Sequence, residues 1–207
     1  MAKRLGRYTL QLERPVSIIG YAAAGSKKEA QGPLGKYFDC INEDSTFGEN
    51  TWEKAESALQ KCAVNKAIKK AGVTPGDIDI MLAGDLLNQC IGSTYGARQL
   101  GTPYLGLYGA CSTMAESLLL AALLTDTGLA NRCLAATSSH FCSAERQFRF
   151  PLEYGGQRTP TSQWTVTGAG ACVTGLQSGA PYIRTVTVGI IEDYGICDIN
   201  NMGAAMA

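Results

Sequence analysis

The sequence has no excess of either charge. Its 207 residues carry 18 Lys and Arg against 18 Asp and Glu. A nucleic-acid binder needs a basic face to neutralise phosphates, and a polybasic membrane anchor needs clustered cations, so a balanced chain argues against both. Histidine is nearly absent, with one copy, at position 140. The longest apolar run, Leu118 to Leu124, is far below the ~18 residues that a membrane-spanning helix needs. No secretory leader is read at the start, which runs Met-Ala-Lys-Arg and stays polar through Arg14. Eight cysteines stand at 40, 62, 90, 111, 133, 142, 172 and 197. No two have the spacing of a zinc knuckle or a thioredoxin-like motif. Most lie in apolar stretches such as Arg132-Cys133-Leu134, which predicts reduced thiols used as small hydrophobes and not a disulfide framework. There is no phosphate loop, no metal-ligand cluster and no pair of catalytic carboxylates. The glycine-rich stretch Thr167 to Ala171 does not open a helix, so it fails the dinucleotide fingerprint. No cofactor and no metal is expected.

Apolar residues make up 45% of the chain, enough to fill a core. The 24 glycines in 207 residues are about 12%, against a usual value of roughly 7%, and they cluster where apolar runs end. Val16 to Gly20 is a β-branched run and reads as a first strand. Residues 25–35 and 39–50 read as loops. Trp52 to Ala71 reads as an amphipathic helix with Trp52, Ala55, Leu59, Ala63, Ala67 and Ala71 on its apolar face. Thr51 caps its start and Gly72 stops it. Asp77 to Leu87 reads as a buried strand, Thr94 to Leu100 as a short helix, and Tyr104 to Tyr108 as a strand. Met114 to Thr125 reads as a helix and Arg132 to Thr137 as a strand. Residues 142–163 read as a long loop. Thr165 to Leu176 and Ile183 to Ile191 read as two last strands, joined as an antiparallel hairpin by Ser178-Gly179-Ala180-Pro181. Alternation of this kind predicts an α/β fold with a mostly parallel sheet. The segment after Cys111 is apolar nearly all round, so its helix is expected to be covered on several sides, by a second sheet or another subunit.

Cys111 stands in Gly109-Ala110-Cys111-Ser112-Thr113, between a strand and that helix. A tight turn there lifts the side chain out at the strand end, as in a nucleophile elbow. The helix start behind it supplies positive potential and free N–H groups, which favour a thiolate and bind a carboxylate or an oxyanion. His140 lies past the end of the following strand, in Thr137-Ser138-Ser139-His140. Ligands bind beyond the carboxyl ends of parallel strands, so Ser138, Ser139 and His140 are expected on the rim that carries Cys111. There His140 suits a base or a donor to a carboxylate. Asp85, at the end of another strand, needs a partner: it caps a helix, pairs with Arg98 or Arg146, or helps bind a cation.

Strand, Gly-Ala-Cys, apolar helix, strand, polar loop and then Val166 to Ala171 resembles the N-terminal half of thiolase-fold proteins, a superfamily that includes thiolases and β-ketoacyl synthases. Within it, the stage V sporulation protein AD family is the closer resemblance. The segments that carry it are Gly32 to Gly35, Leu82 to Gln89, Gly109 to Thr113, Ala135 to His140, Ala144 to Pro151 and Glu153 to Gln157. The resemblance implies a thiolase-like half, with a mixed, mostly parallel five-stranded sheet and helices on both faces. It implies an N-terminal thiolase-like domain over residues 1–195 and the start of a further half over 196–207. The expectation is a fragment, an early stop, or a chain completed by a separate polypeptide or by a homo-oligomer partner. The implied role is binding of dipicolinic acid, free or with calcium, in its uptake into the developing spore. The implied setting is cytoplasmic, peripheral to the spore inner membrane, beside other proteins of a membrane transport complex. Cys111 falls at the thiolase nucleophile position, without an implied condensation activity. The ligand-binding set is Cys111, Ser112, Asp85, Ser138, Ser139, His140 and Arg146, with Arg149 near it in the long loop. The alternative is an acyltransferase of the condensing-enzyme class, with Cys111 as the acyl-accepting nucleophile.

Overall fold

The computed structural model describes residues 2–143, 165–195 and 197. An eight-stranded sheet forms its centre, in the order β1-β2-β7-β6-β4-β5, with β3 and β8 also paired to β2. The strands are β1 (Lys3–Leu5), β2 (Thr9–Ser26), β3 (Cys40–Asn42), β4 (Ile80–Gly84), β5 (Tyr104–Gly106), β6 (Cys133–Ser139), β7 (Gly168–Gly175) and β8 (Tyr182–Thr187). The helices are α1 (Lys27–Ala30), α2 (Trp52–Ala71), α3 (Ile91–Arg98) and α4 (Thr113–Asp126).

The α/β class and the helices on both faces match the expectation. The strand number is corrected from five to eight. The sheet is evenly mixed: β2–β3, β4–β5 and β4–β6 are parallel, while β1–β2, β2–β7, β2–β8 and β6–β7 are antiparallel. The main cause is the length of β2. It was expected over Val16 to Gly20 but extends for 18 residues. Its N-terminal part is polar, so no apolar run marked it, yet it pairs with β1 and β8. The expected hairpin of the last two strands is also corrected. β7 runs against Ser17–Gly25 of β2, and β8 runs against Thr9–Ser17. One long strand serves both, and no ladder joins β7 to β8 among the described residues.

α2 has the predicted bounds. The Thr51 side chain accepts from Lys54 N–H at 3.3 Å, and Gly72 ends the helix in the left-handed region at φ 68°. Its apolar face packs Leu59, Ala63, Val64, Ala67 and Ile68 on Met81, Ala83, Leu134, Ala136 and Val173 of the sheet. The opposite sheet face carries α4. Leu120, Ala121 and Leu124 pack on Leu82 and Cys133, and Leu119, Ala122 and Leu123 on Leu12, Val16 and Val186. Arg14 and Asp126 tie β2 to the end of α4. Asp126 Oδ1 accepts from Arg14 N–H at 2.8 Å, and Arg14 Nη2 donates to the Thr125 carbonyl at 2.8 Å. The leucines of α4 are only half-buried, so the cover expected on several sides is not complete among the described residues.

The cysteine expectation needs one correction. Cys40 of β3 and Cys62 of α2 form a disulfide, 22 residues apart in the chain. It fastens the start of the 43–51 loop to α2. Cys90, Cys111, Cys133, Cys142, Cys172 and Cys197 are reduced thiols. No helix among the described residues is long and apolar enough to cross a membrane.

Candidate functional site

Because β4, β5 and β6 are mutually parallel, their carboxyl ends lie on one edge of the sheet. Asp85 follows β4, the turn with Cys111 follows β5, and His140 follows β6. The edge was therefore correctly expected. The side chains on it divide into an exposed turn and a buried polar cluster.

The turn is Ala110–Ser112, a single 3-10 turn that leads directly into α4. Ala110 holds φ at 46°, a left-handed conformation that is strained for a residue with a Cβ. Cys111 next to it is exposed. The Ser112 hydroxyl donates to the Gly109 carbonyl at 2.8 Å and does not cap α4, whose N-terminus has no side-chain cap. Thr113, the first residue of α4, is fully buried, and its hydroxyl oxygen has no partner. Glu116 adds a carboxylate to the first turn of α4.

Gly84 fixes the position of this turn. A Cβ on Gly84 would lie 1.9 Å from the Leu107 carbonyl oxygen and 2.9 Å from Thr113 Cγ2. Only a bare backbone lets the end of β4 meet both the chain after β5 and the start of α4. Leu107 N–H donates to the Ala83 carbonyl at 2.9 Å, and Cys90 Sγ donates to the Leu107 carbonyl at 3.1 Å. Burial pushes the Cys90 thiol up, which keeps it protonated and inert.

Asp85 is 1% exposed. Its Oδ1 accepts from Leu87 N–H at 2.9 Å and its Oδ2 from Ser93 N–H at 2.7 Å. Of the three partners open to it in the sequence, it takes the helix cap, at the start of α3. Ser138 is buried between two polar residues of α2. Its hydroxyl donates to Glu56 Oε1 at 3.1 Å and accepts from Gln60 Nε2 at 3.2 Å. Gln60 Nε2 also donates to Ser93 Oγ at 2.9 Å, leaving Gln60 Oε1 without a partner. The hydroxyl of Ser139, buried although its residue is part-exposed, has no partner either.

His140 is fully buried. One ring nitrogen, Nε2, lies 2.8 Å from the Ser45 carbonyl, which only accepts, and Nδ1 lies 3.2 Å from Cys142 N–H, which only donates. These partners assign the neutral tautomer with its proton on Nε2. Burial also pushes the ring below the usual histidine range. The ring packs near Trp52 and Phe141, with centroids 5.3 and 5.1 Å away. The expected base or carboxylate donor is thus corrected to a neutral histidine that seats the 43–51 loop. Arg146 and Arg149 lie outside the described residues, as does most of the 142–163 loop. Among the described residues, no hydrogen bond joins Cys111 or Ser112 to Asp85, Ser138 or His140.

The sequence reading missed Glu56, Gln60 and Ser143. Glu56 is fully buried, and burial pushes its carboxyl up to about 7. The Ser143 hydroxyl lies 2.6 Å from Glu56 Oε2 and 3.1 Å from the His140 carbonyl. The available signal was the spacing of 56 and 60 by one turn, inside the face made by Ala55, Leu59 and Ala63.

With this architecture, the chain is similar in fold to several proteins of known structure. The priming β-ketosynthase of the R1128 polyketide pathway matches with a TM-score of 0.53 and 17% identity, over 86% of this chain and 53% of that one. The 3-oxoacyl-[acyl-carrier-protein] synthase III of Aquifex aeolicus VF5 matches with a TM-score of 0.55 and 18% identity, over 79% and 54%. The I375W mutant of CsyB complexed with CoA-SH matches with a TM-score of 0.57 and 15% identity, over 81% and 58%. These likenesses define a thiolase-like fold. The family profile of stage V sporulation protein AD (SpoVAD) matches residues 6–207. The stage V sporulation protein AD of Bacillus subtilis (strain 168) is 46% identical over 205 residues. The chain belongs to the stage V sporulation protein AD family. It spans 61% of the length of that relative.

Proposed function

We propose that this chain serves spore formation by binding dipicolinate, free or as its calcium chelate, on the turn that carries Cys111. The role assigned is uptake of dipicolinate into the developing spore, without acyl transfer. The observation that carries the reading is the uncapped start of α4, with exposed Cys111 and Ser112 before it and the unpartnered Thr113 hydroxyl behind it. Dipicolinate is a flat aromatic dianion. The Ser112 and Thr113 N–H groups are already bonded to the Gly109 and Ala110 carbonyls, so its carboxylates are assigned to the positive end of the α4 dipole, which favours negative charge. Cys111 and Ser112 are assigned direct contact. The Ser139 hydroxyl is assigned a polar contact with the ligand or its water, and Arg146 the opposing cation. Asp85, Ser138 and His140, all buried and already bonded, are assigned to holding the edge in shape. The proposed setting is the cytoplasmic face of the spore inner membrane. Proteins of a transport complex, and a completing half or a second copy, are the proposed partners.

Calorimetric titration of dipicolinate into this chain, with and without calcium, tests the reading. Saturable heat is expected with dipicolinate and none with benzoate, which has one carboxylate. Glu116→Gln removes a nearby anion and is expected to tighten dipicolinate about threefold at low salt. Equal affinity for benzoate, or no heat from a folded sample, would contradict the proposal.

One observation favours the acyltransferase as a second reading: the strained Ala110 before an exposed Cys111 has the form of a nucleophile elbow. In that reaction the Cys111 thiolate adds to an acyl-CoA carbonyl, the acyl C–S bond to CoA breaks, and CoA leaves as its thiolate, giving a thioester on Cys111. Buried His140 is in no position to be its base. Intact-mass analysis after incubation with acyl-CoA decides, and a stable adduct at Cys111 would favour the enzyme.

A further inference from the structure

We propose that Glu56 is protonated in the folded chain and acts as a pH-sensitive latch between α2 and the turn after β6. The argument rests on counting protons. Ser143 Oγ has one hydrogen but two acceptors within reach, Glu56 Oε2 at 2.6 Å and the His140 carbonyl at 3.1 Å. If Glu56 is a carboxylate, one of these contacts sets oxygen against oxygen. If Glu56 carries the proton on Oε2, it donates to Ser143, and Ser143 donates onward to His140. Ser138 then donates to Oε1 while accepting from Gln60. Each contact then has one donor and one acceptor.

The surroundings agree with a neutral carboxyl. Glu56 is fully buried, and no Lys or Arg among the described residues bonds to it. Among the described residues, the titratable groups acting on it are Asp85 after β4 and Glu53 on α2, both repelling a second negative charge. In the turn after β6, His140 is neutral, and Cys142 is a thiol. From β6 comes Ser138, and from α3 come Gly92 and Ser93, all uncharged. Ionisation of Glu56 would draw the Ser143 proton to the carboxylate and break the Ser143–His140 contact. The turn that leads from β6 into the 144–164 segment would loosen. Burial delays ionisation from the usual carboxylate range to about neutrality.

The sign follows from linkage. Between those limits the folded chain holds a proton that the unfolded chain has lost, so stability falls as pH rises. The test compares thermal unfolding of the whole chain and of Glu56→Gln from about pH 5 to about pH 8. Glutamine keeps the shape and a donor but does not ionise. The wild type is expected to lose more melting temperature over that range than Glu56→Gln, and the two to converge at the acid end. Trp52, 5.3 Å from the His140 ring, gives a second readout in a Trp164→Phe background. Its emission is expected to shift near neutral pH in the wild-type latch. Parallel pH profiles for the two chains, together with Trp52 emission that does not change with pH, would overturn the proposal. Should Glu56→Gln fail to fold, the Trp52 titration alone decides.

Discussion

Gly84→Ala is expected to cost about 3 kcal/mol or more of stability, the severe end of overpacking. The atom met by the new Cβ is the Leu107 carbonyl oxygen, at 1.9 Å, and Thr113 Cγ2 follows at 2.9 Å. Neither is the free end of a flexible side chain. Leu107 is held by its bond to the Ala83 carbonyl, and Thr113 is locked as the first residue of α4. Relief requires moving the whole connection from β5 to α4 away from β4, which displaces Cys111. Denaturant unfolding measures the loss. A cost below ~1 kcal/mol would mean that the turn has room to shift, against the rigid edge described.

The second large effect is expected at Asp85. Asp85→Ala leaves Leu87 N–H and Ser93 N–H without their acceptor inside a buried site. Each unpaired donor costs about 1–3 kcal/mol, so a total of about 3 kcal/mol is expected. Asp85→Asn keeps one carbonyl oxygen and is expected to recover roughly half of it. The same pair of variants separates framework from ligand contact. If Asp85 only caps α3, folded Asp85→Asn binds dipicolinate as the wild type does. A loss of binding with little loss of stability would move Asp85 into the ligand shell.

What was legible in the sequence was local. Thr51 and Gly72 bound α2 because capping chemistry acts within one turn. The Cys111 turn was legible because a glycine-containing strand-to-helix junction marks itself. The parallel order of β4, β5 and β6, and hence the shared edge, followed from the alternation of strand and helix. What was hidden depended on distant partners. The polar N-terminal part of β2 becomes a strand through pairing with β1 and β8, which its own pattern does not state. The last two strands read as a hairpin because they are adjacent in sequence, whereas β2 is long enough to pair with both. Cys40 and Cys62 looked like small hydrophobes until folding set β3 against α2. His140 read as a base or carboxylate donor on the rim, yet the Ser45 carbonyl, 95 residues earlier, accepts the hydrogen bond of its Nε2–H. Glu56 and Gln60 were not singled out, because in a helix a buried carboxyl and an exposed one have the same letter. Their partners, Ser138 and Ser143, come from a different part of the chain.

The buried cluster and the exposed turn have different tasks in this account. The cluster holds the edge and responds to protons, while the turn meets the ligand. Protection of Cys111 from alkylation tests that assignment most directly. Cys197 is the other exposed free thiol and serves as an internal reference. Peptide mass spectrometry after a short exposure to iodoacetamide gives both rates in one sample. The account predicts that dipicolinate slows labelling of Cys111 severalfold, that benzoate does not, and that Cys197 reacts at an unchanged rate. Equal labelling of Cys111 with and without saturating dipicolinate would contradict it.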